Sequence, residues 1–281
     1  MAVTRPVERG ERTEDRLSRM LRAAGAEPMR RPLLKVSCLA SERAELMDAL
    51  ARVMAEGREA AAGVPPRDDA VWLFVTSPRT VRPVEDALTR GGYGWEALRA
   101  HGVRVAAVGR STAAALERVG VRADLVPTRY SGKELLQEFT AGVGSSGPTP
   151  LHGVTVLLPR ALEASQELPR GLVALGASLE IVAVYALEPD GEAAAALARE
   201  VRAGKVDVLT LTSGSAARAV ARGLQESNLS SSDLAELTRV VVLGPATASA
   251  AEELGLPVDA IAPVAAFQSL VDTVMGFAEP R

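Results

Sequence analysis

Two stretches of the chain share one order of hydrophobic and polar positions: an apolar run, a small polar turn and a helical pattern. In one stretch, Val208 to Leu211 form the apolar run, residues 212–215 form the turn, and Val220 and Leu224 are spaced for one face of a helix. Residues 71–88 repeat this order. A buried strand followed by a polar turn and a helix is the unit of a parallel α/β sheet, so both stretches predict that fold class.

The repeat extends to a second motif. Residues 105–112 and 240–247 each combine an apolar run with a glycine and a threonine, Thr112 in one and Thr247 in the other. The spacing between these two threonines is almost the same as the spacing between Ser77 and Ser213 in the first motif. The chain is therefore predicted to contain two similar α/β halves, each with two strand–turn–helix units.

A third similarity involves arginine beside proline. Arg5 precedes a proline after a short apolar start, and Arg160 follows a proline at the end of an apolar run. In each half a helical pattern and a second apolar run follow, so the two arginines are predicted to be equivalent. More residues separate these arginines along the chain than separate Ser77 from Ser213. This difference predicts an insertion at 41–70 of the first half, formed by helix 41–62 and the loop 63–69.

Pro83 conflicts with the helix that is predicted to start near Pro78. A proline inside a helix removes a hydrogen bond and clashes one turn back, at a cost of about 3 kcal/mol. The sequence therefore predicts either an irregular first turn or a kink at this position.

Composition excludes several classes of protein. The 281 residues include one cysteine, Cys38, and two distant histidines, so neither an internal disulfide nor a His/Cys zinc site is expected. The net charge of −3 argues against a general nucleic-acid binder, although local arginines can still bind a small anion. The N-terminus has no secretory pattern, and no apolar stretch approaches the roughly 18 residues that span a bilayer. We expect a cytoplasmic protein with no membrane contact.

The candidate binding residues lie in the polar turns. Carboxyl ends of parallel strands, where helix N-termini and free backbone N–H groups converge, are where such sheets bind ligands. The same hydroxyls are also suited to N-capping, and the two roles are compatible. The candidates are Ser77, Thr112, Ser213, Gly214, Ser215 and Thr247.

Taken together, the motifs resemble the uroporphyrinogen-III synthase family over nearly the whole length. The motifs, in order, are Val-Thr-Arg-Pro at 3–6, Val-Thr-Ser-Pro at 75–78, Ala-Val-Gly-Arg-Ser-Thr at 107–112, Val-Leu-Leu-Pro-Arg at 156–160, Val-Tyr at 184–185, Leu-Thr-Ser-Gly-Ser-Ala at 211–216 and Leu-Gly-Pro-Ala-Thr at 243–247. Their order and spacing carry the resemblance, because each motif alone is weak.

The resemblance implies a topology that composition does not show. It implies two similar flavodoxin-like domains, with parallel sheets flanked by helices, joined by two extended crossing segments near 33–38 and 182–189. One domain would be discontinuous, combining residues 1–36 with residues 188–281. The other would comprise residues 37–187.

The resemblance also implies the reaction. The family cyclises hydroxymethylbilane, a linear tetrapyrrole with eight carboxylates, with inversion of the last pyrrole ring and loss of water, in the biosynthesis of haem, sirohaem and cobalamin. The enzyme would be a lyase that needs no metal or organic cofactor. Tyr185 matches the tyrosine proposed to act as the acid in this family. Arg5 and Arg160 are expected either to bind substrate carboxylates or to form a salt bridge to the other domain.

Other interpretations stay open at this stage. Without the resemblance, Tyr185 is interpreted as a half-buried tyrosine that anchors a linker. The chain could also be a non-catalytic two-lobed module that binds a tetrapyrrole or another polyanion. A periplasmic-type solute receptor is disfavoured because no export signal is visible. As an enzyme, the protein is expected to be a monomer that makes at most transient contact with the preceding pathway enzyme.

Overall fold

A computed structural model gives the structure of residues 2–3, 15–39, 42–62, 70–128, 132–142 and 149–277. The chain divides into two compact units. The first unit combines Met1–Ser37 with Leu187–Arg281, and the second unit is Cys38–Ala186. These bounds differ by one residue at each crossing from 1–36, 188–281 and 37–187, the bounds that the resemblance implied.

Strands and helices alternate along most of the described chain. The strands are β1 (Ala2–Val3), β2 (Met29–Arg30), β3 (Leu34–Cys38), β4 (Val71–Val75), β5 (Val103–Ala107), β6 (Thr155–Ala161), β7 (Ser178–Pro189), β8 (Val208–Leu211), β9 (Arg239–Val242) and β10 (Ala260–Ile261). The helices are α1 (Arg16–Ala23), α2 (Glu42–Ala62), α3 (Pro78–Arg90), α4 (Glu96–Ala100), α5 (Arg110–Arg118), α6 (Gly132–Gly142), α7 (Glu167–Ala174), α8 (Gly191–Arg202), α9 (Gly214–Glu226), α10 (Ser231–Leu237), α11 (Pro245–Glu253) and α12 (Phe267–Met275).

The first unit is a parallel sheet covered on both faces. Its strands lie in the order β10-β9-β8-β1-β2, which is the flavodoxin-like order when the five strands are counted along the chain. Leu209 and Leu211 of β8 belong to the core that includes residues of α8, α9 and α11. Val208, whose side chain points to the opposite face by alternation, belongs instead to the core that includes Leu17 of α1 and Leu270 of α12.

A second sheet, in the order β3-β7-β6-β4-β5, lies mainly in the second unit, and its strands β7, β6, β4 and β5 are parallel. On one face, Trp72 and Phe74 of β4 contact Phe139 of α6 edge to face, with ring centroids 5.1 and 4.9 Å away. Helices α2 and α3 contact the same strand. Helix α3 begins at Pro78, as predicted, and continues through Pro83.

Two equivalent aspartates, one in each unit, show that the units repeat each other in detail. In the second unit, Asp124 Oδ2 accepts a hydrogen bond of 2.8 Å from the N–H of Val105 in β5. In the first unit, Asp259 Oδ2 accepts a bond of the same length, 2.8 Å, from the N–H of Val240 in β9. The duplicated fold class that the hydrophobic pattern predicted is confirmed.

The separation of Arg5 and Arg160 does not measure an insertion at 41–70, because the four strands that the two units share have the same order in space but a different order along the chain. In the first unit β1 and β2 precede β8 and β9, whereas in the second unit their counterparts β6 and β7 follow β4 and β5. This permutation increases the number of residues between Arg5 and Arg160 along the chain. Helix α2 precedes β4 as α8 precedes β8, and the two differ in length, 21 residues against 12. The loop 63–69 lies outside the described residues.

The two segments that connect the units run side by side within the first unit. The N–H of Asp190 donates to the carbonyl of Leu33 at 2.8 Å, and Ser37 Oγ donates to Glu188 Oε1 at 2.7 Å. Asp190 also caps α8, since its Oδ1 accepts from the N–H of Ala193 at 3.2 Å, and its Oδ2 lies 3.0 Å from Lys35 Nζ. Burial raises the pKa of the Asp190 carboxyl, but the bonds from Lys35 and the backbone outweigh burial and bring the pKa below its usual value.

This network predicts a pH-dependent contribution to stability. Because the folded-state pKa of Asp190 is lowered, its contribution is complete above the unfolded pKa of about 3.9 and is lost as the pH falls through the folded pKa. Asp190→Asn keeps a good N-cap but removes the charge. We expect the variant to lose about 0.5 kcal/mol of unfolding free energy at pH 7, because Lys35 is exposed and solvent screens the pair. Urea titrations across the acid range test this, and a deficit that stays constant down to the lowest pH contradicts it.

Candidate active-site turns

The carboxyl ends of β6 and β4 are the position at which the second unit is expected to bind a ligand. From β6 the chain continues to β7 on one side, and from β4 it continues to β5 on the other. Open parallel sheets bind ligands beside two neighbouring strands from which the chain continues in opposite directions across the sheet. The corresponding pair in the first unit is β1 and β8. Arg160 lies at the end of β6 and Ser77 follows β4, so the second unit brings two predicted site residues to this point.

The two predicted serines cap helices in both units. Ser77 is the N-cap of α3, and its Oγ accepts from the N–H of Arg79 at 3.2 Å. Ser213 is the N-cap of α9, and its Oγ accepts from the N–H of Ala216 at 3.2 Å and lies 3.0 Å from Ser215 Oγ. Each helix therefore presents its N-terminal end, with its partial positive charge, at the carboxyl end of a central strand.

Gly214 permits a close approach at this turn. A Cβ atom on Gly214 would lie 3.1 Å from the Cβ of Ala250 in α11, which is tighter than an ordinary contact. The absence of a side chain at 214 therefore keeps the first turn of α9 next to α11.

The second pair of turns differs from the first. Gly109 and Gly244 are the N-caps of α5 and α11, and neither helix has a side-chain cap. The first-turn N–H groups of these helices consequently have no N-cap side chain to which they can donate a hydrogen bond. Thr112 and Thr247, predicted to contact substrate, are both buried at the third helical position.

Arg160 is a buried cation. Only 4% of the residue is exposed, and its Nη2 donates to the carbonyl of Ser165 at 2.7 Å. Burial lowers the pKa of the Arg160 guanidinium, and Tyr185 opposes that change electrostatically. Arg5, its predicted equivalent, lies outside the described residues.

Tyr185 lies on the strand beside Arg160. It is 5% exposed, its Cα partner on β6 is Ala161, and its carbonyl accepts from the N–H of Leu162 at 2.9 Å. The register of β6 and β7 shifts between Arg160 and Ala161, which marks a β-bulge at this point. Bulges re-aim side chains and are frequent beside active sites. The structure thus brings together the predicted acid and one of the two predicted arginines within one unit.

Thr80 is a candidate that the sequence reasoning missed. It occupies the third position of α3, it is fully buried, and its Oγ1 has no hydrogen-bond partner in the described parts of the chain. The equivalent position of α9 in the first unit is Ala216, so packing alone does not require a hydroxyl there. In the sequence, Thr80 could have been recognised because the two similar turns differ there, with threonine in one and alanine in the other.

Thr80→Val tests whether this hydroxyl is unsatisfied in the free protein. A buried polar group without a partner costs roughly 1–3 kcal/mol, so we expect valine to raise the free energy of unfolding by about 1 kcal/mol. Thr80→Ser keeps the hydroxyl, removes the methyl group and is expected to lower stability. Tryptophan fluorescence during urea unfolding is suitable, since Trp72 and Trp95 both lie in the second unit. A loss of stability in the valine variant contradicts the interpretation.

The described ranges contain neither a metal-binding cluster nor a membrane-spanning helix. No group of three or more His, Cys, Asp or Glu residues in those ranges is arranged to hold a metal ion. Among the helices described, none has the length and apolar character needed to cross a membrane.

The fold and the turns define a two-domain α/β protein with helix N-termini at the carboxyl ends of its parallel strands. The chain belongs to the uroporphyrinogen-III synthase family, because the family's sequence profile, uroporphyrinogen-III synthase HemD, matches residues 15–272. The resemblance seen in the sequence is confirmed, and a tetrapyrrole-cyclising enzyme of the lyase type is the class of protein that the family implies.

Individual relatives agree with the family match. The chain is 25% identical over 237 residues to uroporphyrinogen-III synthase of Synechococcus elongatus, covering 83% of this chain and 80% of the relative. It is 26% identical over 199 residues to the enzyme of Chlorobaculum parvum, covering 70% and 76%. A relative from Methanothermobacter thermautotrophicus, a putative uroporphyrinogen-III synthase by name, is 30% identical over 154 residues, which is 54% of this chain and 58% of that protein.

A solved structure supports the fold. A mutant uroporphyrinogen III synthase from the extremely thermophilic bacterium Thermus thermophilus superposes with a TM-score of 0.61 at 19% identity, covering 98% of this chain and 99% of that chain.

Proposed function

We propose that this chain is a uroporphyrinogen-III synthase that closes hydroxymethylbilane into uroporphyrinogen III with release of water. The observation that carries the proposal is the placement of Arg160 and Tyr185 on adjacent strands at the ligand-binding end of one sheet, in a chain of this family. The alternative, a non-catalytic module that binds a tetrapyrrole or another polyanion, is less well supported, because such a module does not need the tyrosine.

The substrate class fits the charges and donors of the turns. Hydroxymethylbilane carries eight carboxylates, and a guanidinium such as that of Arg160 can bind a carboxylate through two parallel hydrogen bonds. We propose the same role for Arg5. The N-termini of α3, α5, α9 and α11 add backbone N–H groups, which bind carboxylates without requiring particular side chains. The other proposed contacts are made by Ser77, Thr112, Ser213, Gly214, Ser215 and Thr247.

The reaction needs orientation and one well-placed proton donor. The pyrrole nitrogen supplies the electron pair that breaks the bond to the hydroxyl group, and the phenol of Tyr185 gives its proton to the leaving oxygen, so water is released. The last ring then attacks the resulting azafulvene through its substituted α-carbon and forms a spirocyclic intermediate. The bond from this carbon to the methylene group of the third ring breaks, and the free α-carbon of the last ring bonds to that methylene group, which inverts the ring. The proton lost from this second α-carbon restores the phenol. No oxidant or reductant is needed, and we propose that the enzyme works without a cofactor. The remaining rate enhancement comes from holding both ends of the flexible linear substrate in position.

We propose that the protein acts as a cytoplasmic monomer. Because hydroxymethylbilane closes spontaneously to the wrong isomer, we also propose a transient contact with the enzyme that supplies it.

The isomer of the product tests this function. Purified protein is incubated with hydroxymethylbilane, the products are oxidised, and the isomers are separated by chromatography against a heat-denatured control. We expect isomer III to predominate with active protein. Isomer I alone, formed at the rate of the control, contradicts the proposal. Tight binding of the substrate without isomer III supports the binding module instead.

A further inference from the structure

Thr80, in the first turn of α3, occupies the same position as two residues that are proposed to contact the substrate. The helices α3, α5, α9 and α11 each follow a polar turn, and their third residues are Thr80, Thr112, Ala216 and Thr247, respectively. All three threonines are buried. The sequence motifs named Thr112 and Thr247 but not Thr80, so the repeated fold adds a third threonine to this set.

The Thr80 hydroxyl is a buried donor that the free protein does not use. Thr80 is 0% exposed, and its Oγ1 has no hydrogen-bond partner among the described residues. A threonine inside a helix can donate its hydroxyl to the carbonyl four residues earlier. Thr140 donates in this way to Leu136, and Thr273 donates to Ser269, each at 2.7 Å. Because Thr80 does not make such a bond, its donor remains available to a ligand.

The side chain of Thr80 leans toward the N-terminus of α3. Side chains of an α-helix tilt toward its N-terminal end, so the side chain of the third residue covers the first turn. This turn follows β4 at the carboxyl end of the sheet. The hydroxyl therefore lies on the side of α3 where a ligand is expected.

A comparison with α9 shows what the hydroxyl adds to this turn. The first residue of α9 is Gly214, which has a backbone N–H, whereas the first residue of α3 is Pro78, which has none. The third residue of α9 is Ala216, which has no hydroxyl. Thr80 thus supplies, from its side chain, the donor that Pro78 lacks.

The N-terminus of α3 is also free of acidic side chains. Its first turn contains no aspartate or glutamate, whereas the first turns of α4, α6, α7, α8 and α10 each contain one. The partial positive charge at this end of α3 is therefore not balanced by a carboxylate of its own first turn. A carboxylate bound there would accept a hydrogen bond from Thr80 and interact with this charge at the same time.

We propose that the Thr80 hydroxyl binds a carboxylate of the tetrapyrrole substrate at the N-terminus of α3. The bond gives a partner to a donor that is unpaired in the free protein, so part of the stability that this donor costs is regained on binding. Because the hydroxyl is covered before binding, side chains of the first turn must move to admit the carboxylate. This inference rests on the proposed function and extends the proposed contacts of Thr112 and Thr247 to a third turn.

Thr80→Val tests the contact because it removes the hydroxyl and keeps the shape of the side chain. Binding of uroporphyrinogen III, kept reduced under nitrogen, to the full chain is measured by isothermal titration calorimetry, and KM and kcat are measured with hydroxymethylbilane. We expect Kd and KM to rise about tenfold, the size of one hydrogen bond to a charged group. We expect kcat to change less than about threefold, because the bond is present before and during the reaction.

Two further variants are the controls. Thr80→Ser keeps the hydroxyl and is expected to bind uroporphyrinogen III within about threefold of the natural protein, although it is less stable. Thr140→Val makes the same exchange in α6 of the same unit, where the hydroxyl already donates to Leu136. It should leave Kd, KM and kcat unchanged.

The measurements also contain the contradicting results. An unchanged Kd in Thr80→Val shows that the hydroxyl does not contact the ligand. Equally weak binding by Thr80→Ser shows that the methyl group, and not the hydroxyl, matters. If Thr80→Val loses both stability and affinity, the hydroxyl has a structural role. Each of these results overturns the proposal.

Failure of this inference can be distinguished from failure of the proposed function. If the natural protein makes no isomer III but binds uroporphyrinogen III, and Thr80→Val weakens this binding, the function fails while the contact stands. If the natural protein makes isomer III, and Thr80→Val leaves KM and Kd unchanged, the function stands and the contact is overturned.

Discussion

Tyr185→Phe is expected to lower kcat for isomer III formation about 100-fold or more, because general acid catalysis contributes roughly 10²- to 10⁴-fold. The substitution removes one hydroxyl and keeps the ring on β7, so the free energy of unfolding should change by less than about 1 kcal/mol. Initial rates of isomer III formation and urea unfolding curves measure the two quantities on the same preparation.

Tyr93→Phe is the matched control for this prediction. Tyr93 lies in the same unit, is exposed, and lines a groove with Met47 and Met54 that contains none of the proposed site residues. It should retain full activity. If Tyr185→Phe is equally active, the proton must come from another group, and the assigned acid is wrong.

Gly57→Ala is expected to cause the largest loss of stability among the substitutions considered. Gly57 lies in α2, where an added Cβ would lie 2.2 Å from the carbonyl oxygen of His101. The backbones of these two segments are close to each other at a second position as well. A Cβ on Gly102 would lie 2.7 Å from the carbonyl oxygen of Gly57, and Gly102 has a φ of +74°. Backbone atoms next to β5 cannot move aside cheaply. Overpacking costs about 1–3 kcal/mol or more, and alanine regains at most about 1 kcal/mol of helix propensity. We expect a net loss of about 2 kcal/mol.

Gly171→Ala is the control in which the added Cβ meets a side chain instead of the backbone. Gly171 lies in α7, and its added Cβ would also come within 2.2 Å of a neighbour, but this neighbour is the end of the Leu136 side chain. A leucine can change rotamer, so the net effect should stay within about 1 kcal/mol. Because both tryptophans lie in the second unit, fluorescence during urea unfolding reports on the unit that contains both glycines. Equal destabilisation by the two substitutions contradicts the argument.

The hydrophobic pattern predicted the fold class because burial on both faces of a parallel sheet leaves strong local signals. Val208–Leu211 and Val71–Val75 are buried at every position, and each is followed by a serine that caps a helix. These features depend on neighbours in the chain, so they can be recognised without coordinates.

The permutation of the two units could not be recognised in this way. Spacing between repeated motifs gives their order along the chain, whereas the place of β6 beside β4 depends on which strand edges pair. The larger separation of Arg5 and Arg160 therefore suggested extra residues around α2, although α8 is the counterpart of that helix.

The site was predicted only in part, for a similar reason. Tyr185 and Arg160 could be named from motifs, but their proximity depends on the pairing of β6 with β7 and on the bulge between them. Thr80 was missed because its interest comes from complete burial without a partner, which is a property of the packed structure.

A crystal structure of the full chain with uroporphyrinogen III bound tests the central claim most directly. We predict carboxylates of the product on the first-turn N–H groups of α3, α5, α9 and α11, one carboxylate on Arg160, and the Tyr185 hydroxyl within hydrogen-bond distance of the tetrapyrrole. A product bound elsewhere, for example in the groove that Met47, Met54 and Tyr93 line, with these turns and Tyr185 untouched, would contradict the account.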